Sequence, residues 1–121
     1  MSVPIGCIMA WGGHKDNIPD NWLLCDGSRM DRGGDDQLYH DLHEAIFQAW
    51  GGTGPQDFNL PDMRGYFLRG VSDGSGHDPD AGTRTAVAAG GIPGDHVGTF
   101  QEDAFKSHTH VYSVPAENVE I

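Results

Sequence analysis

Two histidines separated by one residue, His108 and His110, lie near the C-terminal end of the sequence in the stretch SHTH. On an extended segment, residues i and i+2 project to the same side, so both imidazoles can point one way while Thr109 faces away. Imidazole serves both as a metal ligand and as a general base. The pair is therefore compatible with half of a metal site, part of a catalytic centre, or two solvated side chains.

The residues around His108 and His110 argue against one kind of metal-dependent enzyme but do not decide between the other interpretations. A divalent ion takes more than two ligands, and the nearest downstream carboxylate is Glu117, with no histidine after it. Metal-dependent oxygenases of the cupin type place a Glu shortly after the second His and another His further on. Because residues 111–116 separate His110 from Glu117, the spacing argues against such an enzyme.

Three carboxylates, Asp26, Asp57 and Asp62, raise the possibility of a glycosidase, since these enzymes use a pair of acids. Asp26 lies in an Asp-Gly turn and Asp62 follows a proline, so each is expected to fix a turn through hydrogen bonds to its own backbone. Arg64 and Arg69 are available as ion-pair partners. Structural pairing is the favoured interpretation.

Three further aspartates, Asp73, Asp78 and Asp80, stand in the Gly-rich stretch DGSGHDPDAG. Acidic loops rich in glycine can bind calcium. The alternating acidic ladder of an EF-hand loop is missing, and Asp-Pro and Asp-Ala-Gly are ordinary turn formers. The sequence therefore favours turns over a calcium site.

The two cysteines, Cys7 and Cys25, lie in apolar stretches without a neighbouring base or cation. Neither has the surroundings of a reactive thiolate, and a disulfide between them is the less favoured alternative. The glycines at 74 and 76 lack the downstream Lys of a phosphate-binding loop.

The three tryptophans, Trp11, Trp22 and Trp50, could offer flat faces on which sugar rings stack. Each lies in the apolar register of its predicted element, so we expect the indoles to belong to the core.

The charge of the chain excludes several functions. Seven Lys and Arg against eighteen Asp and Glu give a net charge of −11, which repels nucleic acid and anionic membrane surfaces, and no basic patch reverses it. The longest apolar runs are too short to span a bilayer, and the N-terminus does not resemble a signal peptide. We expect a protein made in the cytoplasm that neither binds nucleic acid nor enters a membrane.

The length of 121 residues predicts one domain. Apolar runs predict strands over 3–12, 22–27 and 66–71. Apolar residues at helical spacing predict a helix over about 36–50. Asp35 or Asp36 is expected to cap the start of this helix. With 18 glycines in the chain, residues 72–98 are expected to be irregular and pinned to the core by Val87, Ile92 and Val97.

Four motifs then occur in one order, GCIMAWGG, IPDNWLLCDG, LYHDLHEAI and FNLPDMRGYFLRG. Together they resemble the phage tail-collar family, found near the ends of tail fibres. The residues of this chain that carry the structural motif are Trp11, Trp22, Cys25, Asp26, Gly27, Phe58, Leu60, Pro61, Asp62, Arg64, Gly65, Arg69 and Gly70.

The resemblance implies an α+β fold, with short strands, one main helix and long irregular Gly-rich segments, intertwined as a homotrimer. It implies a collar-like domain over 1–71 and a Gly-rich extension over 72–121 that ends in the His-x-His segment, the two forming one structural unit. The implied protein is not an enzyme. It belongs to a virion tail or phage-like particle and contributes to host-surface attachment.

Tail fibres that this chain resembles carry His-x-His metal sites on a threefold axis, and the correspondence falls on His108 and His110. Three copies would supply six nitrogens, an octahedral set that suits an iron-like ion better than tetrahedral zinc. The resemblance thus implies an iron or zinc ion at a trimer axis. The implied partners are copies of the chain, other tail or fibre proteins, and a glycan or protein of the host surface.

The sequence departs from the family pattern at two places. Asn21 stands where the family usually has Gly, a mild change because Asn also tolerates positive φ. Only eleven residues follow His110, so the chain is expected to be either a fragment lacking shaft and tip or a compact relative. Two alternatives stay open: a purely structural tail or injection-system component without receptor binding, and a polysaccharide-degrading enzyme.

Overall fold

The computed structural model describes residues 2–32 and 37–113, and for residues 37 and 38 only their backbone. The elements are β1 (Arg29–Asp31), α1 (Gln37–Ile46), β2 (Asp57–Asn59), β3 (Thr85–Ala86) and β4 (Thr99–Phe100), with 3-10 turns at Lys15–Asn17 and Ala81–Thr83. This is a small α+β arrangement of one helix and short antiparallel strands, as the sequence predicts. Within this described part, no helix is long and apolar enough to cross a membrane.

The first sheet is a ribbon made by β1 and β2. The two strands are antiparallel, with Met30 opposite Phe58. The pairing continues past the strands, because the Leu60 N–H donates to the Ser28 carbonyl at 2.8 Å. The ribbon thus aligns the β1 region with the FNLPD motif along most of its length.

The core lies between this ribbon and α1, and it is small. The buried apolar side chains of the described residues are Phe58, Leu60 and Pro61, together with Ala81 in the 3-10 turn at Ala81–Thr83. Phe58 has no solvent exposure, and the buried ring of His43 packs edge-on against it with ring centroids 5.2 Å apart. Phe58 and Leu60, two residues of the FNLPD motif, therefore anchor the core.

The helix is shorter than the predicted 36–50, because it ends at Ile46. Phe47 adopts φ 49, a left-handed conformation that stops a right-handed helix. The apolar periodicity continues for another turn, which is why the sequence pattern overestimates the length. The predicted cap, Asp35 or Asp36, lies outside the described residues.

The second sheet joins the Gly-rich segment to the end of the helical region. It consists of β3 and β4, and the Val87 N–H donates to the Gly98 carbonyl at 3.0 Å. A Cβ added to Gly98 would overlap the carbonyl oxygen of Ala49, so the two backbones touch. The Gly52 N–H donates to the Ala89 carbonyl at 3.0 Å, a second backbone contact between the same regions.

The predicted strands at 3–12, 22–27 and 66–71 are wrong for the single chain. Residues 2–12 form no strand ladder and are exposed, and 22–27 contributes only an isolated bridge between Asp26 and Asp62. Residues 66–71 are likewise irregular and exposed. An apolar run needs a neighbouring strand to accept its backbone hydrogen bonds, and within residues 2–32 and 37–113 no strand pairs along these segments.

Several predicted core residues also lie outside the core. Trp11 is 51% exposed, and its indole N–H donates to the His14 carbonyl at 3.1 Å. Ile92 and Val97 are exposed, so of the three predicted anchors of residues 72–98 only Val87 is half-buried. No other part of the described chain covers the apolar side chains of Trp11, Ile92 and Val97 enough to bury them.

Candidate functional site

Asp57 is buried at the start of β2, where its carboxylate stabilises the preceding turn through hydrogen bonds. Its carboxylate accepts hydrogen bonds from the Thr53 hydroxyl and from the Thr53 and Gly54 backbone N–H groups, the latter two at 2.6 and 3.1 Å, and it pairs with Arg29. The Thr53 hydroxyl, the two N–H groups and Arg29 together lower its pKa to about 2. A carboxylate held ionised in this way is suited to a structural role and not to donating a proton.

Asp26 and Asp62 face each other across the isolated bridge, and each closes a local turn. Asp26 accepts the Ser28 N–H at 3.0 Å and the Ser28 hydroxyl, which lowers the pKa of the Asp26 carboxyl. Asp62 accepts Nε and Nη2 of Arg64, each at 2.9 Å, and this hydrogen bonding lowers its pKa. The predicted turns and the pairing of Asp62 with Arg64 are present.

Arg69 does not pair with any of these three carboxylates; it binds Asp78 instead, at 2.8 Å. Asp78 also contacts the guanidinium of Arg84, and it accepts the Asp80 N–H at 3.0 Å. Hydrogen bonding from Arg84 above all, with Arg69 and the backbone adding to it, lowers the pKa of Asp78 to about 2.

Arg84 is the centre of this second cluster, and sequence reasoning missed it. Its side chain is buried, and Nη1 lies 3.7 Å from the carboxylate of Asp95. Asp95 in turn accepts the backbone N–H groups of Ser72 and Asp73, both at 2.8 Å. The sequence does contain a sign of this cluster, because Arg84 is the one Lys or Arg among four aspartates in residues 72–98.

Of the three aspartates considered for calcium, Asp78 has its carboxylate engaged by Arg69, Arg84 and the Asp80 N–H group, whereas Asp73 and Asp80 take part through their backbones. In the residues that the structure describes, no group of three or more His, Cys, Asp or Glu is arranged to hold a metal ion. Any cation site built from this region would need ligands from elsewhere.

His108 and His110 lie in an irregular, exposed stretch. Their ring centroids are 4.9 Å apart and their planes are nearly perpendicular, at 81°. Nδ1 of His108 lies 3.2 Å from the carbonyl oxygen of Lys106. One chain therefore offers two neighbouring imidazoles, which fit a metal ion only if other ligands join them.

One concave surface of the described residues is an apolar recess of about 550 Å³, which we call the N-terminal groove. Its walls are residues 3–8, residues 21–25, Leu60 and Pro61, and the face of α1 that carries Tyr39, Leu42 and Ile46. The i, i+3, i+7 spacing of these helix residues matches the apolar periodicity read from the sequence. In this part of the structure, no residue lining the groove is charged.

The second surface is a recess of about 600 Å³, which we call the aromatic cleft. It is lined by Trp50, Arg84 and Val87 together with parts of 62–71 and 96–103. The rings of Tyr66 and Phe100 meet in it at a centroid distance of 6.0 Å. Phe67 and Leu68 belong to its lining, yet they are 99% and 80% exposed.

The three tryptophans do not form a common platform. Trp22 lines the N-terminal groove, Trp50 lines the aromatic cleft, and Trp11 is exposed near the turn at His14. A sugar could therefore stack on one of them at most.

Both cysteines are free, with Cys7 exposed and Cys25 half-buried. Burial, followed by the charge of Asp26, raises the pKa of the Cys25 thiol. The Cys25 thiol is thus protonated near neutrality and is not suited to nucleophilic chemistry.

Comparison with known proteins adds a family assignment to this geometry. Residues 6–68 match the family model of the Phage Tail Collar Domain, which confirms the resemblance seen in the four motifs. The chain is 36% identical over 96 residues to Protein RhiB of Rhizobium leguminosarum bv. viciae, covering 77% of this chain and 42% of that protein. It is 34% identical over 118 residues to the Short tail fiber protein gp12 of Enterobacteria phage T4, covering 90% of this chain and 20% of that protein. The chain thus spans less than half the length of either relative, and no solved structure matches it.

Proposed function

Because this chain belongs to the phage tail collar domain family, we propose that it is a non-enzymatic structural module of a tail fibre in a phage or phage-like particle. The observation that carries the proposal is the family match over residues 6–68, extended by a short tail fibre relative that aligns with 90% of the chain. The proposed location is the virion tail. The proposed partners are other copies of the chain, other tail or fibre proteins, and the host surface.

The assembled form that we propose is a homotrimer, and the surface of the single chain supports association. A folded monomer of 13.1 kDa exposes about 6,400 Å² by the usual scaling with mass. This chain exposes 9857 Å², about half as much again. A small core beside a large apolar surface is the expected property of a subunit whose neighbours complete its packing.

We also propose that the trimer holds an iron or zinc ion through His108 and His110 of its three copies. Two imidazoles per chain are too few for a site, whereas three chains would supply six donors. The ion would act structurally, by joining the ends of the three chains. The closeness of the two rings, 4.9 Å between centroids, supports a shared ligand function for them.

The test combines native mass spectrometry with metal analysis of the purified chain. We expect a trimer that contains iron or zinc, and a His108→Ala, His110→Ala variant that loses the metal. The matched control is His77→Ala, another exposed histidine, which should retain metal and mass. A metal-free trimer would refute the axial site alone, and a monomeric wild type would refute the assembly.

We also propose that the trimer attaches to the host surface. The aromatic cleft supports it, because aromatic faces beside charged groups such as Arg69 and Glu102 are surfaces on which sugars can bind. Binding of the trimer to host envelope glycans is the expected result. No binding to envelope glycans or to intact host cells would favour the alternative, a purely structural tail component.

The enzymatic alternative is tested by sugar release from the same envelope material. We expect none, because Asp57 and Asp62 are committed to ion pairs and turns. Release of reducing sugar by the wild type but not by Asp62→Asn would contradict the non-enzymatic assignment.

A further inference from the structure

The N-terminal groove exposes apolar side chains that a single chain leaves without cover. Five of them are large and at least one-third exposed: Val3, Ile5, Ile8, Leu23 and Leu24. They come from the two segments that were predicted as strands but form no ladder. Exposed apolar area that is contiguous in this way marks an interaction surface.

The charge of the chain restricts what can approach this groove. With a net charge of −11, two copies repel each other over most of their surface. The groove is an exception, because its described lining contains no Asp or Glu. Contact between copies is thus least opposed at this place, and an uncharged apolar group is the matching occupant.

The same chain presents such a group elsewhere. Phe67 and Leu68 are consecutive, and they are 99% and 80% exposed. They line the aromatic cleft and do not line the N-terminal groove. A contact between these two residues and the groove would therefore join different surfaces of two copies, which is a heterologous contact.

We propose that Phe67 and Leu68 of one copy insert into the N-terminal groove of the next, and that three such contacts close the ring of the trimer. The inference rests on the trimer of the proposed function and adds the surfaces that form it. An aromatic anchor in an apolar pocket is the usual centre of a stable interface.

The area available is sufficient for this arrangement. A stable interface buries about 800 Å² on each partner, so a ring requires about 1,600 Å² from each subunit. The chain exposes about 3,500 Å² more than a monomer of its mass would. The exposed area of the chain as a whole is therefore large enough for such a ring.

The closest competing occupant is the tail segment of a neighbouring copy, where Phe105 and Val111 are fully exposed. We favour Phe67 and Leu68 because they are adjacent and follow Met63, which is half-buried, and Tyr66, whose ring contacts that of Phe100. Cross-linking from position 67 and from position 105 distinguishes the two occupants.

The groove contains two native thiols, Cys7 and Cys25, which permit a direct test by cross-linking. A Phe67→Cys variant, treated with a short bis-maleimide at mildly alkaline pH, should give covalent trimers, since each copy would donate one thiol and receive another. The same variant with Cys7→Ser and Cys25→Ser carries one thiol per copy and should remain uncross-linked. Covalent dimer from that control, or dimer as the end product of Phe67→Cys, would overturn the proposal.

The matched control is Val97→Cys, another exposed apolar residue of the aromatic cleft. We expect several-fold less covalent trimer from it than from Phe67→Cys. A Phe105→Cys variant tests the competing occupant, and more groove-dependent trimer from position 105 than from position 67 would overturn the assignment. A wild type that is trimeric by native mass while position 67 does not cross-link would refute this inference and leave the proposed trimer intact.

A second measurement does not depend on thiol chemistry. Phe67→Ser with Leu68→Ser should lower the native mass from trimer to monomer, because these side chains contribute almost nothing to the chain's own packing. Phe105→Ser should leave the trimer unchanged. An unaltered trimer in the Phe67, Leu68 variant would contradict the insertion.

Discussion

At the scale of single residues, the ionised side chains of this chain hold turns together. Asp57 binds the Thr53–Gly54 turn, and Asp78 binds Arg84, which is itself buried. In both cases the partners stabilise the charged form and lower the pKa of the carboxyl to about 2. Such carboxylates contribute stability only while they are ionised.

This linkage predicts a loss of stability in acid. The pKa of Asp57 in the folded protein, about 2, lies below its usual value of 3.8. Ionised Asp57 therefore contributes its full stabilising free energy above pH 3.8, and this free energy is lost as the pH falls through the folded pKa. Asp57→Asn should therefore destabilise the protein at neutral pH and much less near pH 2, as measured by urea unfolding. Asp103→Asn, at an exposed position, is the control. An equal effect of Asp57→Asn at both pH values would contradict this account.

A second residue-scale prediction concerns Asn21, which has φ 67. The sequence comparison with the family pattern predicts that Asn tolerates the position, and the observed left-handed conformation is one that Gly and Asn adopt most readily. Asn21→Gly should leave the free energy of unfolding nearly unchanged. Asn21→Val should lower it by about 1–2 kcal/mol, because a β-branched residue is strained there. Equal stability of the two variants would show that the conformation is not constrained.

At the scale of elements, close backbone contacts join the helical region to the Gly-rich segment. Gly98, with φ 82, lies against the carbonyl of Ala49, and Gly90, with φ 83, lies against the backbone of Gly52. These contacts need residues without a Cβ, so Gly90 and Gly98 are more than flexible spacers. They place β3 and β4 beside the end of the α1 region.

Gly98→Ala should therefore be strongly destabilising. The added methyl group would meet the Ala49 carbonyl, and the positive φ adds strain, so we expect a loss of about 2 kcal/mol or more. Gly82→Ala is the matched control, because a Cβ there meets nothing within 4 Å. Thermal unfolding of both variants checks the prediction, which fails if their melting temperatures fall equally.

At the scale of the whole molecule, the distribution of apolar surface is the dominant property. The buried apolar side chains in the described residues are Phe58, Leu60, Pro61 and Ala81, whereas the N-terminal segment and residues 66–71 expose large apolar side chains. A single copy thus leaves much of its hydrophobic stabilisation unused. The proposed trimer would bury this surface between copies.

Stability should consequently depend on protein concentration. If the folded form is a trimer, mass action raises the midpoint of urea unfolding when the total concentration increases. We expect a clear increase over a hundredfold concentration range for the wild type. A midpoint that does not change with concentration would indicate a protein that folds as a monomer.

The features that could be predicted from the sequence are those that depend on short-range interactions. The Asp26 and Asp62 turns, the start of the core at Phe58, the helical period of α1 and the conformation of Asn21 all depend on neighbours close in sequence. The family match also follows from motifs that can be read directly. Arg84 and His43 were missed because their burial depends on distant segments that no local pattern identifies.

By itself, the sequence determined the family, the α+β class and the turns, because these depend on residue type and short-range spacing. The tertiary structure alone decided which apolar runs find a partner in the same chain, since a strand forms only where another backbone accepts its hydrogen bonds. In the part of the chain that the structure describes, residues 3–12 and 66–71 have no such neighbour and are exposed apolar segments. The apolar pattern specified that these segments must be covered, and the three-dimensional arrangement showed that a single copy does not cover them.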